Sequence, residues 1–347
     1  GKYYERLNYA VGEHLEPGST FKLMSIIAAL EDGKVDLNTI VDTKNGVLDF
    51  DGAKVRDSKK GGYGKISLAK GFEVSSNTVL VQSVYNSYKD NPKQFVDRIN
   101  SYGLNKPLGL PIKGEGIPII PQPGTNRWSG VSLPWMAFGY GVSMTPLQTL
   151  TLYNAVANNG KMVKPIFVSE IKEWSKTIKK YNTQIINPKI CSDETLRKVH
   201  EVLENVVKRG TASKLYSKDF SMAGKTGTAQ VNYGKPDMYY ASSFVGYFPA
   251  DQPKYSCIVI IHKPDKSIGY YGGDVSGPVF KRIAQKIFTD SPSTNHVKNI
   301  DAKVVSQEKN YAEYYKKVEK EERVVPNVKG MDGMDAIALL ENLWAVI

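Results

Sequence analysis

The chain has 347 residues, 41% of them hydrophobic, enough for one large domain with additions rather than several small ones. Charged residues make up 23%, an ordinary level for a globular protein, which excludes a wholly disordered chain. A net charge of +11 and a pI near 9.2 fit either a solvated basic surface or anionic surroundings: nucleic acid, lipid headgroups or a cell-wall polymer.

The first predicted helix starts at Ser19, carries Leu23, Ile26, Ile27 and Leu30 on its period, and stops at Gly33. A second follows Asn77, placed as its N-cap, through Val79, Leu80, Val84 and Tyr88. Thr145-Pro146-Leu147-Gln148 opens a third with a cap, a first-turn proline and a capping-box glutamine, and Gly160 ends it. The fourth follows Ser192, acidic at Asp193 and Glu194 and basic at Lys208 and Arg209, before Gly210. Strand patterns then cover 222–231, 242–247 and 255–261, separated by turn signals such as 249–253. A helix over 278–288 closes this part, so the fold class is α+β. Beyond about Asp290 the composition turns polar: 291–323 reads as a linker or solvated helix, and 324–347 opens a new unit.

Metal and cofactor chemistry find no footing. Cys191 and Cys257 form no C-x-x-C pair, and the four histidines form no H-E-x-x-H helix. Cys257 reads as packing within its strand. Gly141-Val142-Ser143-Met144-Thr145 lacks the closing glycine of a nucleophile elbow. No apolar run approaches the roughly 18 residues that span a bilayer.

Three short motifs occur in order: S-x-x-K at Ser19 and Lys22, S-x-N at Ser75 and Asn77, and K-T-G at Lys225, Thr226 and Gly227. With S-D-N in the middle, the trio is that of penicillin-binding proteins and class A β-lactamases. Further S-x-x-K copies at Ser67, Ser169 and Ser306 lack the context of Ser19, which follows Pro17-Gly18 and opens an apolar helix pattern. One turn separates Ser19 from Lys22, so the amine can reach the hydroxyl, and a helix start offers free N–H groups to an oxyanion. Each motif also has a plain reading: Ser19 and Ser75-Ser76-Asn77 as helix caps, Lys225 and Gly227 as edge-strand residues. In the functional reading Ser75 relays a proton, and Asn77 holds a substrate carbonyl and Lys22. Gly227 lets a substrate peptide approach the strand, while Lys225 attracts a carboxylate and depresses the pKa of Lys22.

With these motifs stand Phe138-Gly139-Tyr140-Gly141, Gly210-Thr211-Ala212 and Ser243-Phe244-Val245-Gly246-Tyr247-Phe248-Pro249. Over roughly 1–288 the chain resembles the transpeptidase domain of class B penicillin-binding proteins. Val325-Pro326-Asn327-Val328-Lys329-Gly330 resembles the opening of a PASTA module, a feature of division-type relatives. The resemblance implies the penicillin-binding transpeptidase and serine β-lactamase-like fold, a central antiparallel sheet flanked by helices plus a helical subdomain. Its domains would be 1–290 for the transpeptidase, 291–323 for the linker and 324–347 for an incomplete PASTA module, with an N-terminal membrane anchor and pedestal missing. It implies a cytoplasmic-membrane protein with its catalytic domain on the extracytoplasmic side, needing no cofactor or metal and binding no nucleic acid. Its partners would be peptidoglycan stem peptides, β-lactam antibiotics, a membrane glycosyltransferase and divisome proteins. Ser19 would attack the penultimate D-Ala carbonyl of a D-Ala-D-Ala stem, with the oxyanion held by the Ser19 and Thr228 N–H groups. Thr226 and Thr228, with Lys225, would hold the terminal carboxylate. A DD-carboxypeptidase, a β-lactamase and a non-enzymatic β-lactam sensor are the rival readings. The class A deacylation loop has no match here, Glu201-Val202-Leu203-Glu204-Asn205 being the nearest run.

Overall fold

A computed structural model describes residues 7–290 and Lys329. The chain divides into two units, Gly1–Ser291 and Pro292–Ile347. The predicted linker over 291–323 and, Lys329 apart, the predicted unit over 324–347 lie outside the described residues.

Helix α1 (Tyr9–Gly12) precedes a 3-10 turn at Gly18–Thr20 and helix α2 (Lys22–Glu31). Four short strands follow, β1 (Ile40–Asp42), β2 (Val47–Phe50), β3 (Ala53–Arg56) and β4 (Lys65–Ser67). Next come α3 (Leu68–Glu73), α4 (Asn77–Tyr88), α5 (Pro92–Ser101), α6 (Ser132–Met136) and α7 (Pro146–Ala157). Strands β5 (Met162–Val163), β6 (Glu170–Glu173), β7 (Lys176–Lys180) and β8 (Ile185–Asn187) lead to α8 (Asp193–Arg209). A second 3-10 turn (Ser213–Leu215), β9 (Ala223–Val231), β10 (Tyr239–Phe248), β11 (Tyr255–His262) and α9 (Ser276–Asp290) complete the unit.

The class is α+β. Strands β11, β10 and β9 form an antiparallel sheet in that order, with Lys225 opposite Val245 and Cys257 opposite Gly246. Alternation along β10 gives each face its own partner. Phe244 and Phe248 pack on Phe280 of α9, whereas Tyr247 meets His200 of α8.

Helix α2 is the hub of the helical subdomain. Every residue from Lys22 to Leu30 is buried, and the helix packs on α4, α5 and α8. A helix apolar on all sides belongs in a core, and this one carries Lys22 inward at its first turn. The helix starts later than Ser19, which lies on the 3-10 turn instead. Gly18 makes that entry possible with φ 54°.

At α4 the cap is Ser76, whose hydroxyl accepts from Val79 N, and Asn77 is the first helical residue. Its amide is therefore released from capping duty. Helix α7 has the expected capping box, and α8 the expected Ser192 cap with acidic start and basic end.

Candidate active site

The helical subdomain supplies two of the three motifs. Lys22 Nζ donates to Ser75 O at 2.7 Å, Asn77 Oδ1 at 2.7 Å and Ser75 Oγ at 3.2 Å. The Asn77 amide has its orientation fixed from behind, because its Nδ2 donates to Arg56 O at 2.7 Å. Complete burial pushes the Lys22 amine down to about 7, against the attraction of Asp57. A neutral amine has two N–H donors, enough for the two 2.7 Å acceptors, and keeps one lone pair free to take a proton.

Ser75 reaches this position through backbone strain. Helix α3 ends in a Schellman motif, with Ser76 N bonded to Gly71 O and Ser75 N to Phe72 O. The residue at the left-handed position of such a motif is usually glycine, yet here it is Ser75 with φ 58°. The side chain that this geometry projects touches both buried lysines, since Lys225 Nζ donates to the same Ser75 Oγ at 2.9 Å.

The sheet supplies the third motif. Among the described residues, strand β9 pairs with β10 on one side only, and its terminal stretch abuts the Ser19 turn. A Cβ on Gly18 would lie 3.4 Å from Ala229 Cβ, and one on Gly139 would fall 2.0 Å from Gly18 O. Gly139 must therefore be bare for the Phe138–Gly141 segment to brace the Ser19 turn, where Gly18 N bonds to Gly139 O.

Ser19, Ser75, Asn77, Thr226 and Thr228 line one cleft of 590 Å³. Lys22 and Lys225 lie beneath it, both without solvent exposure. Two expectations change. Lys225 does not open onto the cleft to meet a carboxylate, because its amine is turned to Ser75 Oγ and Thr226 O and sits over the Phe72 ring. Nor does Lys225 cause the depression at Lys22, which is burial; burial and then repulsion from Lys22 hold Lys225 itself well below the usual lysine range. Gly227 changes its meaning too. A Cβ there would meet Ser243 Oγ at 2.2 Å and Thr20 Cγ2 at 2.9 Å, so the protein's own packing demands the glycine.

Residues 1–285 match the penicillin binding protein transpeptidase domain. The chain belongs to that family. Stage V sporulation protein D of Bacillus subtilis is 32% identical over 343 residues, covering 97% of this chain and 50% of its own length. Peptidoglycan D,D-transpeptidase FtsI of Escherichia coli K12 is 30% identical, covering 80% of this chain and 44% of its own length. The chain thus spans about half the length of these curated relatives. Crystal structures of penicillin binding protein 3 from Mycobacterium tuberculosis, apo and complexed with aztreonam, superpose with TM-scores of 0.72 and 0.71 at 27% identity, each covering 82% of this chain and 65% of theirs.

Further polar and aromatic side chains surround the three motifs in the cleft. Asp57 accepts from Ser76 Oγ, Thr78 N and Thr78 Oγ1 at 2.8–3.0 Å, which fixes a carboxylate at the start of α4, where its charge acts on the Lys22 amine. Thr211 bonds Thr226 through their hydroxyls at 2.7 Å, and its N–H is tied to Glu73 O at the end of α3. Thr228 Oγ1 accepts from Gly272 N at 3.1 Å. Tyr140, Tyr240, Tyr270 and Tyr271 form an aromatic side of the cleft, with Tyr240 and Tyr270 stacked at 4.3 Å. The Phe138–Gly141 and Gly210–Ala212 segments flag Tyr140 and Thr211 in the sequence; nothing local flags Asp57.

Proposed function

We propose that this chain is a serine-type peptidoglycan DD-transpeptidase, with Ser19 as nucleophile, Lys22 as base and Ser75 as proton relay. The observation that carries this reading is the buried Lys22 amine at about 7, bonded to Ser75 and Asn77 beneath the Ser19 cleft. Lys22 takes the Ser19 proton while Oγ attacks the penultimate D-Ala carbonyl. The peptide C–N bond breaks, and the departing D-Ala amine takes a proton through Ser75 Oγ. An ester on Ser19 remains. An acceptor amine then attacks it, gives up a proton to Lys22 and forms the new amide, and Ser19 regains its hydrogen.

The N–H groups of Ser19 and Thr228 serve as the oxyanion donors, each worth about 3–4 kcal/mol in such a pair. The free edge of β9 takes the donor peptide as an added strand. Thr211, Thr226 and Thr228 supply hydroxyls for its terminal carboxylate, in place of the buried Lys225. In a β-lactam the nitrogen stays tethered when the ring opens, so the leaving group cannot depart and the adduct persists.

By the class B resemblance of its motifs, the same proposal places the chain in division, on the extracytoplasmic side of the cytoplasmic membrane, beside a membrane glycosyltransferase and divisome proteins. A sporulation-specific role is a second reading. It is favoured by the match to stage V sporulation protein D, which at 97% of the chain continues past residue 285. The reading of 324–347 as the opening of a PASTA module rests on the Val325-Pro326-Asn327-Val328-Lys329-Gly330 run.

The test is intact mass after incubation with benzylpenicillin, alongside Ser19→Ala. A Ser19-dependent adduct lasting many minutes, with transfer from a D-Ala-D-Ala donor to an amine, is expected. Absence of any adduct sinks the reading. Loss of the adduct within seconds indicates a β-lactamase, and release of D-Ala without transfer a carboxypeptidase.

A further inference from the structure

A second groove, of 620 Å³, runs along α9 and shares Lys214, Gly273 and Asp274 with the lining of the catalytic cleft. At the shared boundary Lys214 Nζ meets Asp274 Oδ1 at 2.7 Å, with the lysine side chain 81% exposed. Beyond it the lining adds Lys281 and Arg282, and Ile268, 82% exposed, forms an apolar lip. Lys281 is anchored by donating to Tyr216 O at 3.3 Å. From the cleft outward, then, the charges run from the Lys214–Asp274 ion pair, which balances itself, to two further cations.

We infer that this groove binds the acceptor peptide by its carboxylate, an inference that rests on the transpeptidase reading. An acceptor for cross-linking brings an amine, which must point to the Ser19 ester, and a C-terminal carboxylate of its own. Lys281 and Arg282 attract the carboxylate at the outer end, while the self-balanced Lys214–Asp274 pair at the boundary leaves the neutral amine end to enter the cleft. That polarity orients the nucleophile toward the ester. Water carries no carboxylate, so the groove raises transfer relative to hydrolysis of the same acyl-enzyme.

The experiment measures the ratio of transfer to hydrolysis from a D-Ala-D-Ala donor peptide by mass spectrometry. Glycyl-D-alanine and its C-terminal amide serve as acceptors, for the wild type and for the double variant Lys281→Glu/Arg282→Glu. The wild type is expected to favour the free acid over the amide. The variant is expected to lower the free-acid ratio about tenfold, which corresponds to 1.4 kcal/mol, with no change for the amide. The benzylpenicillin acylation rate of the same preparation reports that the fold and donor site are intact. An unchanged free-acid ratio in the variant, or a wild type that uses the amide equally well, overturns the inference alone. A wild type that benzylpenicillin never acylates overturns the transpeptidase reading and this inference with it.

Discussion

The same side chain leads two different lives in this molecule. Lys22 and Lys225 lie under the cleft without exposure, dividing Ser75 Oγ between them. On the β6–β7 hairpin, Lys172, Lys176, Lys179 and Lys180 all stand in solvent, as does every residue of the two strands. Hydration satisfies a hairpin ammonium at no structural cost, and a pair such as Lys172–Glu170 at 2.8 Å adds little. Under the cleft water is gone, so fixed acceptors must replace it and the charged form is penalised. Environment, not residue type, sets how readily an amine gives up its proton.

Exchange of lysines between these settings gives the largest expected effect. Lys22→Met should slow acylation by benzylpenicillin on the order of 10²- to 10⁴-fold, the contribution of a positioned general base. Lys179→Met should leave the rate unchanged. Comparable losses in both variants break the comparison.

Next in size is pH. Acylation by the wild type should climb as pH rises through about 7, where Lys22 loses its proton, and level off above. A rate flat between pH 5.5 and 8.5 contradicts a lysine base. Stability should follow a related course, because Lys22 titrates at about 7 when folded against an ordinary 10.5. Between those values the unfolded chain holds more protons, so stability rises with pH across that window relative to Lys22→Met. Below about 7 both states carry the proton and the full penalty of the buried charge remains. Urea unfolding of both proteins at pH 6.5 and 9 checks the sign.

Much of this arrangement was legible in the sequence where local chemistry fixes it. Capping residues announced α7 and α8, and β-branched runs announced β9, β10 and β11. Motif spacing brought Ser19, Lys22, Ser75, Asn77 and Lys225 forward together, and the structure gathers them around one cleft. What stayed hidden depends on contacts between distant segments. Asp57 meets the start of α4 across about 20 residues. The burial of Lys225 follows from Phe72 lying against it, and the need for Gly227 from Ser243 and Thr20. The hairpin escaped notice because its strands, lacking a buried face, show no alternation of apolar and polar residues.

The smallest effect tests the backbone beneath both settings. Ser75 and Trp174 each hold a left-handed φ, 58° and 55°, where a side chain costs on the order of 1–2 kcal/mol relative to glycine. Trp174 is 97% exposed at the hairpin turn, so little packing is lost with its ring. Trp174→Gly should therefore slow hydrogen exchange of the Tyr181 amide, which closes the hairpin on Ser169 O, and leave acylation untouched. Ser75→Ala and Ser75→Gly both remove the acceptor that Lys22 and Lys225 share, so both should lose acylation. They differ only in the backbone, and the glycine variant should be the more stable by about 1 kcal/mol in urea. If the two Ser75 variants are equally stable, the strain has another outlet. If the glycine variant acylates as fast as the wild type, Ser75 is a hinge between helices and not a relay, and the two lysines beneath the cleft do not work through it.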